Sequence, residues 1–150
     1  MPAPFAAPVA QRQAQRHLHR ILKRFDYEGV LTIEFFLRRG RLLANEMAPR
    51  VHNSGHWTIE GAATSQFENH LRAIFGLPLG STRARAHAAM INLIGRLPER
   101  LPLLGMHELH WHEYGKAARA GRKLGHVTLL ADSATMRDRL AQRLLRHAES

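Results

Sequence analysis

Val30-Leu31-Thr32-Ile33-Glu34-Phe35-Phe36-Leu37 is followed by Arg38-Arg39-Gly40-Arg41 and then by Leu42-Leu43-Ala44-Asn45-Glu46-Met47. The first run is rich in β-branched and aromatic residues, which suit a pleated, half-buried surface, and it reads as a strand. The arginine-glycine quartet is a turn, and the third run returns as the partner strand of a hairpin. Upstream, a helix is expected from about Ala7 to Phe25, with Val9, His17, Ile21 and Leu22 towards one face. Downstream, Ala48 to Trp57 carries Pro49, Asn53, Ser54 and Gly55 without periodicity and reads as a polar loop. Phe67, Leu71, Ile74 and Phe75 mark a helix from Thr64 to Phe75, stopped by Gly76 and Pro78. Leu79 to Arg85 reads as a connection. Strands are then expected at Ala88 to Ile94, Met106 to Trp111 and Val127 to Leu130, with a basic loop from Glu113 to Gly125. Asp132 or Ser133 can cap a last helix reaching about His147. The pattern is α+β with mainly antiparallel strands.

The chain has 150 residues, 45% of them hydrophobic and 23% charged. That is the balance of a globular protein with room for one ordinary domain or two small ones. No apolar run approaches the roughly 18 residues of a membrane span. A secretory leader is not expected from the first twenty or so residues, which lack an apolar core. There is no cysteine, so disulfides and thiolate metal sites are excluded, and a reducing cytoplasm fits. The formal charge of +10 favours anionic partners, from phosphorylated small molecules to nucleic acid. A merely basic surface accounts for it equally well.

Three groups of residues could carry chemistry. A hairpin turning at Arg39 and Gly40 brings Glu34 and Glu46 close together on neighbouring strands, with Asn45 beside them. Two carboxylates and an amide oxygen suit a hard cation such as magnesium carrying a nucleotide's phosphates. The alternative is a solvent-facing Glu34 and a Glu46 that caps or pairs with an arginine. Arg50, His52, Asn53, Ser54 and His56 crowd the following loop, where a guanidinium fork and several donors could orient a small anion. A surface loop with local Asx and Ser turns is the plainer reading. Lys116, Arg119, Arg122 and Lys123 lie among Gly115, Gly121 and Gly125, a setting that lets backbone and cations approach an anion. A solvated basic loop, or one touching nucleic-acid phosphates, fits the same residues; Trp111 alone offers little for base stacking.

The stretch GVLTIEFFLRRGRLLANEMAPRVHNSGHWTIEGAATSQFENHLRAIFGLPLGST closely resembles the 5-(carboxyamino)imidazole ribonucleotide synthetase (PurK) family of ATP-grasp ligases. MINLIG, LHWHEYGK and GRKLGHVTL continue the family order, so the resemblance covers nearly the whole chain. Its most specific elements are NEMAPRVHNSGHWT and TSQFENHLRAI. The resemblance implies the second half of an ATP-grasp domain, an antiparallel sheet with helices, over residues 1–80. A small C-terminal α/β subdomain would follow over residues 81–150. It implies ATP-dependent carboxylation of 5-aminoimidazole ribonucleotide by bicarbonate through carboxyphosphate, with magnesium. Glu34 and Glu46 then resemble the metal ligands, with Asn45 and Glu46 at the ATP phosphates. Arg50, His52 and Asn53 match positions that handle the aminoimidazole nucleotide and carboxyphosphate. Lys116, Arg122 and Lys123 match the loop receiving the ribonucleotide phosphate. Two departures bear on Lys116: Ala120 replaces the proline before Gly-Arg-Lys, and His112-Glu113 lengthens the segment ahead.

The family also has an N-terminal nucleotide-fold domain and a first ATP-grasp subdomain, and nothing in this sequence reads as either. No P-loop or G-x-G-x-x-G stretch is present. The expectation is therefore a C-terminal fragment, inactive alone, partnered by the missing N-terminal half and possibly by a second copy as a homodimer. No membrane or nucleic-acid partner is implied. Two competing classes are a non-enzymatic basic module for nucleotides or RNA, and a metal-dependent hydrolase built on the His and Glu cluster.

Overall fold

The computed structural model of the chain describes residues 8–106 and 108–149. In chain order the elements are α1 (Pro8–Phe25), β1 (Thr32–Arg38), β2 (Arg41–Ala48), a 3-10 turn (Asn53–Gly55), α2 (Thr58–Gly61), α3 (Gln66–Ile74), β3 (His87–Ile94), α4 (Leu101–Leu104), β4 (Leu109–Glu113), β5 (Lys123–Ala131) and α5 (Ala134–Glu149). They form two compact units, 1–56 with 64–81, and 57–63 with 82–150. Both sheets are antiparallel, in agreement with the expected α+β class. Among the described residues no helix is long and apolar enough to cross a membrane.

The first unit holds the hairpin β1–β2, with α1 against β2, and α3. Arg39 and Gly40 have φ of 49° and 75°, the positive pair that a two-residue I′ turn requires, and Arg38 opposes Arg41 across it. The expected start of α1 at Ala7 lies outside the described residues. Its half-buried stripe is Ala10, Gln13, Ala14, Leu18, Ile21 and Leu22; Val9, read from the sequence as part of the inner face, is exposed. Ser65 caps α3 by accepting the Glu68 N–H at 3.2 Å, and Gly76, at φ 63°, ends it with Leu77 N–H bonded back to Arg72 O, a left-handed helix stop. The polar side chains of α3 then hold distant main chain. Asn69 bonds both N–H and C=O of Gly80, at 2.8 and 3.2 Å. His70 Nδ1 accepts the Val30 N–H at 2.9 Å, fixing the entry to β1.

The second unit is the sheet β3-β5-β4 with α5 packed on one face. Its core is Leu93, Leu103, Met106, Val127, Leu129 and Leu144. The opposite face of β5 is buried too, by His126 and Thr128, with α2 on that side. Two sequence expectations are corrected here. The strand expected at Met106 begins at Leu109, after Glu108 turns at φ 61°. The short strand expected at Val127–Leu130 is the nine-residue central strand Lys123–Ala131, so Lys123 to Gly125 leave the basic loop and join the sheet. Gly125 there answers to close approach rather than to turning: an added Cβ would lie 2.2 Å from His112 O.

That contact is main chain, which cannot swing aside, so Gly125→Ala should destabilise the second unit by about 1–3 kcal/mol, the usual range for overpacking. Gly105→Ala, at a position with open space and φ −79°, should leave it nearly unchanged. Both tryptophans, Trp57 and Trp111, belong to this unit, so thermal melts followed by tryptophan fluorescence check the contrast.

Candidate functional site

Strict alternation along a strand would put Asn45 and Glu46 on opposite faces. The hairpin register breaks between Glu34 and Phe35: Glu34 pairs with Glu46, whereas Phe35 pairs with Ala44. Asn45 is therefore the extra residue of a β-bulge, a device that re-aims side chains. As a result the Asn45 amide reaches Glu34 as well, with Nδ2 donating to Oε2 at 3.5 Å. Directly opposed carboxylates repel, and both are about half exposed. His52 Nε2 lies 3.8 Å from an oxygen of each. Among the described residues it is the only charged or chargeable partner so near either group.

His52 is buried to 9% exposure and is held at every polar position but one. Its N–H donates to Gln66 Oε1 at 3.0 Å, and its C=O accepts from Gln66 Nε2 at 2.8 Å. Its Nδ1 accepts the Ser54 N–H at 3.3 Å and lies 2.9 Å from Ser54 Oγ. With Nδ1 an acceptor, the neutral ring carries its proton on Nε2, the atom facing the two carboxylates. Gln66 Nε2 also meets His56 Nδ1 at 2.8 Å. A Cβ on Gly55 would fall 2.5 Å from Gln66 Oε1, so glycine leaves this seat open. Arg50 is exposed, and its Nη1 donates to Val51 O at 2.9 Å. Asn53 opens the 3-10 turn and its carbonyl accepts the His56 N–H. Gln66, which holds His52 in place, is the residue of this cluster that reading the residues one by one passes over.

Lys116, Arg122 and Lys123 belong to the second unit. Arg122 clasps the basic loop: its N–H bonds Arg119 O at 3.0 Å, and its Nη1 donates to Ala117 O at 3.3 Å. Lys123 is exposed at the start of β5. Lys116 Nζ stands 5.1 Å from the centroid of the Tyr114 ring. Behind the loop runs a row of polar groups invisible in the sequence pattern. Tyr114 OH is 2.8 Å from His126 Nδ1, His126 stacks on His112 at 4.3 Å and 9°, and His112 Nε2 meets Glu60 Oε1 at 2.6 Å. Burial pushes the Tyr114 phenol above its ordinary pKa. The structure thus gathers Glu34, Asn45, Glu46 and His52 in the first unit, and Lys116 and Arg122 on one loop, with Lys123 just beyond it, in the second.

Residues 1–67 match the model of the ATP-grasp domain, and residues 88–140 that of the phosphoribosylaminoimidazole carboxylase C-terminal domain. A Pseudomonas aeruginosa protein named N5-carboxyaminoimidazole ribonucleotide synthase is 56% identical over 133 residues, covering 88% of this chain and 37% of the relative. Its namesake from Vibrio cholerae is 51% identical over 139 residues, or 91% of this chain and 36% of the relative. The chain thus spans a little over a third of the length of these relatives. The crystal structure of the Thermus thermophilus synthetase superposes with a TM-score of 0.90 at 54% identity, over 97% of this chain and 41% of that one. An Aspergillus clavatus synthase, solved with ADP and 5-aminoimidazole ribonucleotide, gives 0.84 at 35% identity, over 99% of this chain and 43% of that one. With two family models in order along it and identity above one half to full-length relatives, this chain belongs to the N5-carboxyaminoimidazole ribonucleotide synthase (PurK) family of ATP-grasp proteins.

Proposed function

We propose that this chain is the C-terminal portion of the ligase that carboxylates 5-aminoimidazole ribonucleotide with bicarbonate and ATP, supplying the metal end of the ATP site and part of the ribonucleotide site. The observation that carries the reading is the Glu34–Glu46 pair, set face to face across a bulge with Asn45 and His52 on them. Related structures described as complexes with ATP, or with ADP and the ribonucleotide, support the same substrates here. Magnesium fits the donor set. Two hard carboxylates on opposed strands repel unless a cation lies between them, and magnesium is commonly held by one or two carboxylates plus substrate phosphates. Among the described residues no group of three or more His, Cys, Asp or Glu side chains could hold a metal ion. When bound between Glu34 and Glu46, the ion would offset the negative charge of the triphosphate.

The chemistry assigned to this family needs bicarbonate oxygen to attack the γ-phosphorus, with ADP leaving and carboxyphosphate forming. Carboxyphosphate then yields carbon dioxide and phosphate, and the substrate amine bonds to the carbon and loses a proton. In such a sequence the protein chiefly positions anions and stabilises charge. Glu34 and Glu46 hold the metal, and Asn45 orients Glu34. His52 offers its Nε2 proton to an anionic oxygen arriving beside the carboxylates, while Arg50 and Asn53 contribute donors from the same loop. Lys116, Arg122 and Lys123 anchor the ribonucleotide phosphate. A cytoplasmic setting and a homodimer belong to this reading. The basic nucleotide- or RNA-binding module fits less well, because Trp111 is packed against the core of the second unit and is not free to stack on bases.

Three outcomes test the proposal. The isolated chain should release no ADP from ATP, bicarbonate and the ribonucleotide, and adding the N-terminal part of a relative should restore turnover. Substrate-dependent turnover by the chain alone at about 1 s⁻¹ or faster, ordinary for an enzyme, would refute the division of the site. In a complete ligase carrying these residues, Glu34→Gln and Glu46→Gln should each lower kcat about 10²–10³-fold, the scale for losing one pre-set electrostatic contact. Arg122→Ala and Lys123→Ala should instead raise KM for the ribonucleotide with little change in kcat, as loss of remote binding does.

A further inference from the structure

His112-Glu113-Tyr114-Gly115-Lys116 carries the end of β4 into the basic loop. The Tyr114 N–H still bonds Leu124 O at 2.8 Å, so its main chain remains sheet-like. Gly115 then turns at φ 63° with nothing near a prospective Cβ. The need there is conformational: a left-handed residue reverses the chain, and the ammonium of Lys116 comes back to 5.1 Å from the ring just passed. A lysine on an exposed loop otherwise spreads over many rotamers, and ordering it costs binding free energy. A cation over an aromatic face is drawn to the ring quadrupole, which narrows that spread.

The ring is itself fixed from below. Its hydroxyl is 2.8 Å from Nδ1 of His126, which is 1% exposed on the central strand. His126 lies flat against His112, and His112 meets Glu60 of α2. Burial raises the Tyr114 pKa, and the hydroxyl shares its hydrogen bond with Nδ1 of His126. We propose that Tyr114, braced by His126, is a positioning residue that seats the Lys116 ammonium for the ribonucleotide phosphate. The proposal rests on the reading of Lys116 as a phosphate ligand. Because an ammonium has three N–H donors, a seated Lys116 keeps donors for the phosphate while resting on the ring.

Two measurements separate the seat from the site. In this chain, NMR should find the Lys116 ε-methylene protons shifted upfield by the ring current. Tyr114→Leu should return them to the position of a free lysine, and Tyr114→Phe, which keeps the ring but not its brace, should return them part of the way. In the complete ligase, Tyr114→Leu should raise KM for the ribonucleotide about 2- to 5-fold, the size of an exposed cation–π contact. KM for ATP should not move, and the effect should vanish in a Lys116→Met background. An unshifted Lys116 in the wild-type chain, or an equal rise in KM without Lys116, would overturn the proposal. Lys116→Met with unchanged KM would overturn the phosphate reading beneath it, and the NMR shift would still report whether the seat exists.

Discussion

The amide of Gln66, bonded to both the N–H and the C=O of His52, is the contact on which the carboxylate site depends. A loop has no ladder of its own, and each main-chain group buried without a partner is costly. One side-chain amide reproduces the pairing a neighbouring strand would offer, and it is mounted on the first turn of a capped helix. His52 is then held by its main chain while its ring is held by Ser54. The only polar atom of that residue left for other work faces Glu34 and Glu46.

The same economy appears twice more along α3. Asn69 secures Gly80 and His70 secures Val30, so successive polar side chains of one short helix fasten the segments before the hairpin, after it and beyond the helix itself. Among the described residues of the first unit Ala48 is the hydrophobic side chain that is fully buried, the apolar residues of α1 are half-buried at most, and Phe36, Leu43 and Met47 are exposed. The second unit is organised the other way, with an apolar core on one face of its sheet and a polar row on the other. Buried polar rows carry a high cost when incompletely paired and rigidify their surroundings when paired. This row is bonded at Tyr114 and at His112, while Glu60 Oε2 and Thr128 Oγ1 have no hydrogen-bond partner among the described residues, and the bond at Tyr114 is the one that lies beneath Lys116.

The hairpin was legible in the sequence because its signals are local: β-branched and aromatic runs around an Arg-Gly turn. That hairpin brought Glu34 and Glu46 into one neighbourhood but not into opposition: counted from Arg38↔Arg41 an unbroken ladder sets Glu34 against Asn45, and the bulge is what places Glu46 there instead. Only part of the central strand, Val127 to Leu130, was legible; its first residues were not, because Gly121 and Gly125 among cations imitate a loop, and the neighbouring carbonyl of His112 is what explains Gly125. α2 and α4, each a single turn, are too short to show a helical period. The holds by Gln66, Asn69 and His70 join residues 11 to 40 positions apart, and no spacing rule anticipates such bonds. Family resemblance drew attention to TSQFENHLRAI as a motif, while the geometry supplies the reason its polar residues are needed.

The bulge at Asn45 has a bearing on how this sequence can drift. Every cross-strand pair from Thr32↔Ala48 to Arg38↔Arg41 is formed without Asn45. Excising it would join Ala44 to Glu46 and leave those pairs as they are, in an unbroken ladder. Hairpin formation therefore imposes no demand for a residue at that point, and a deletion there would pass unnoticed by pairing. A residue that folding can spare is kept, if it is kept, for what its side chain does beside Glu34. Among descendants of this gene, the length of the hairpin's second strand is thus a record of whether the chemistry is still in use.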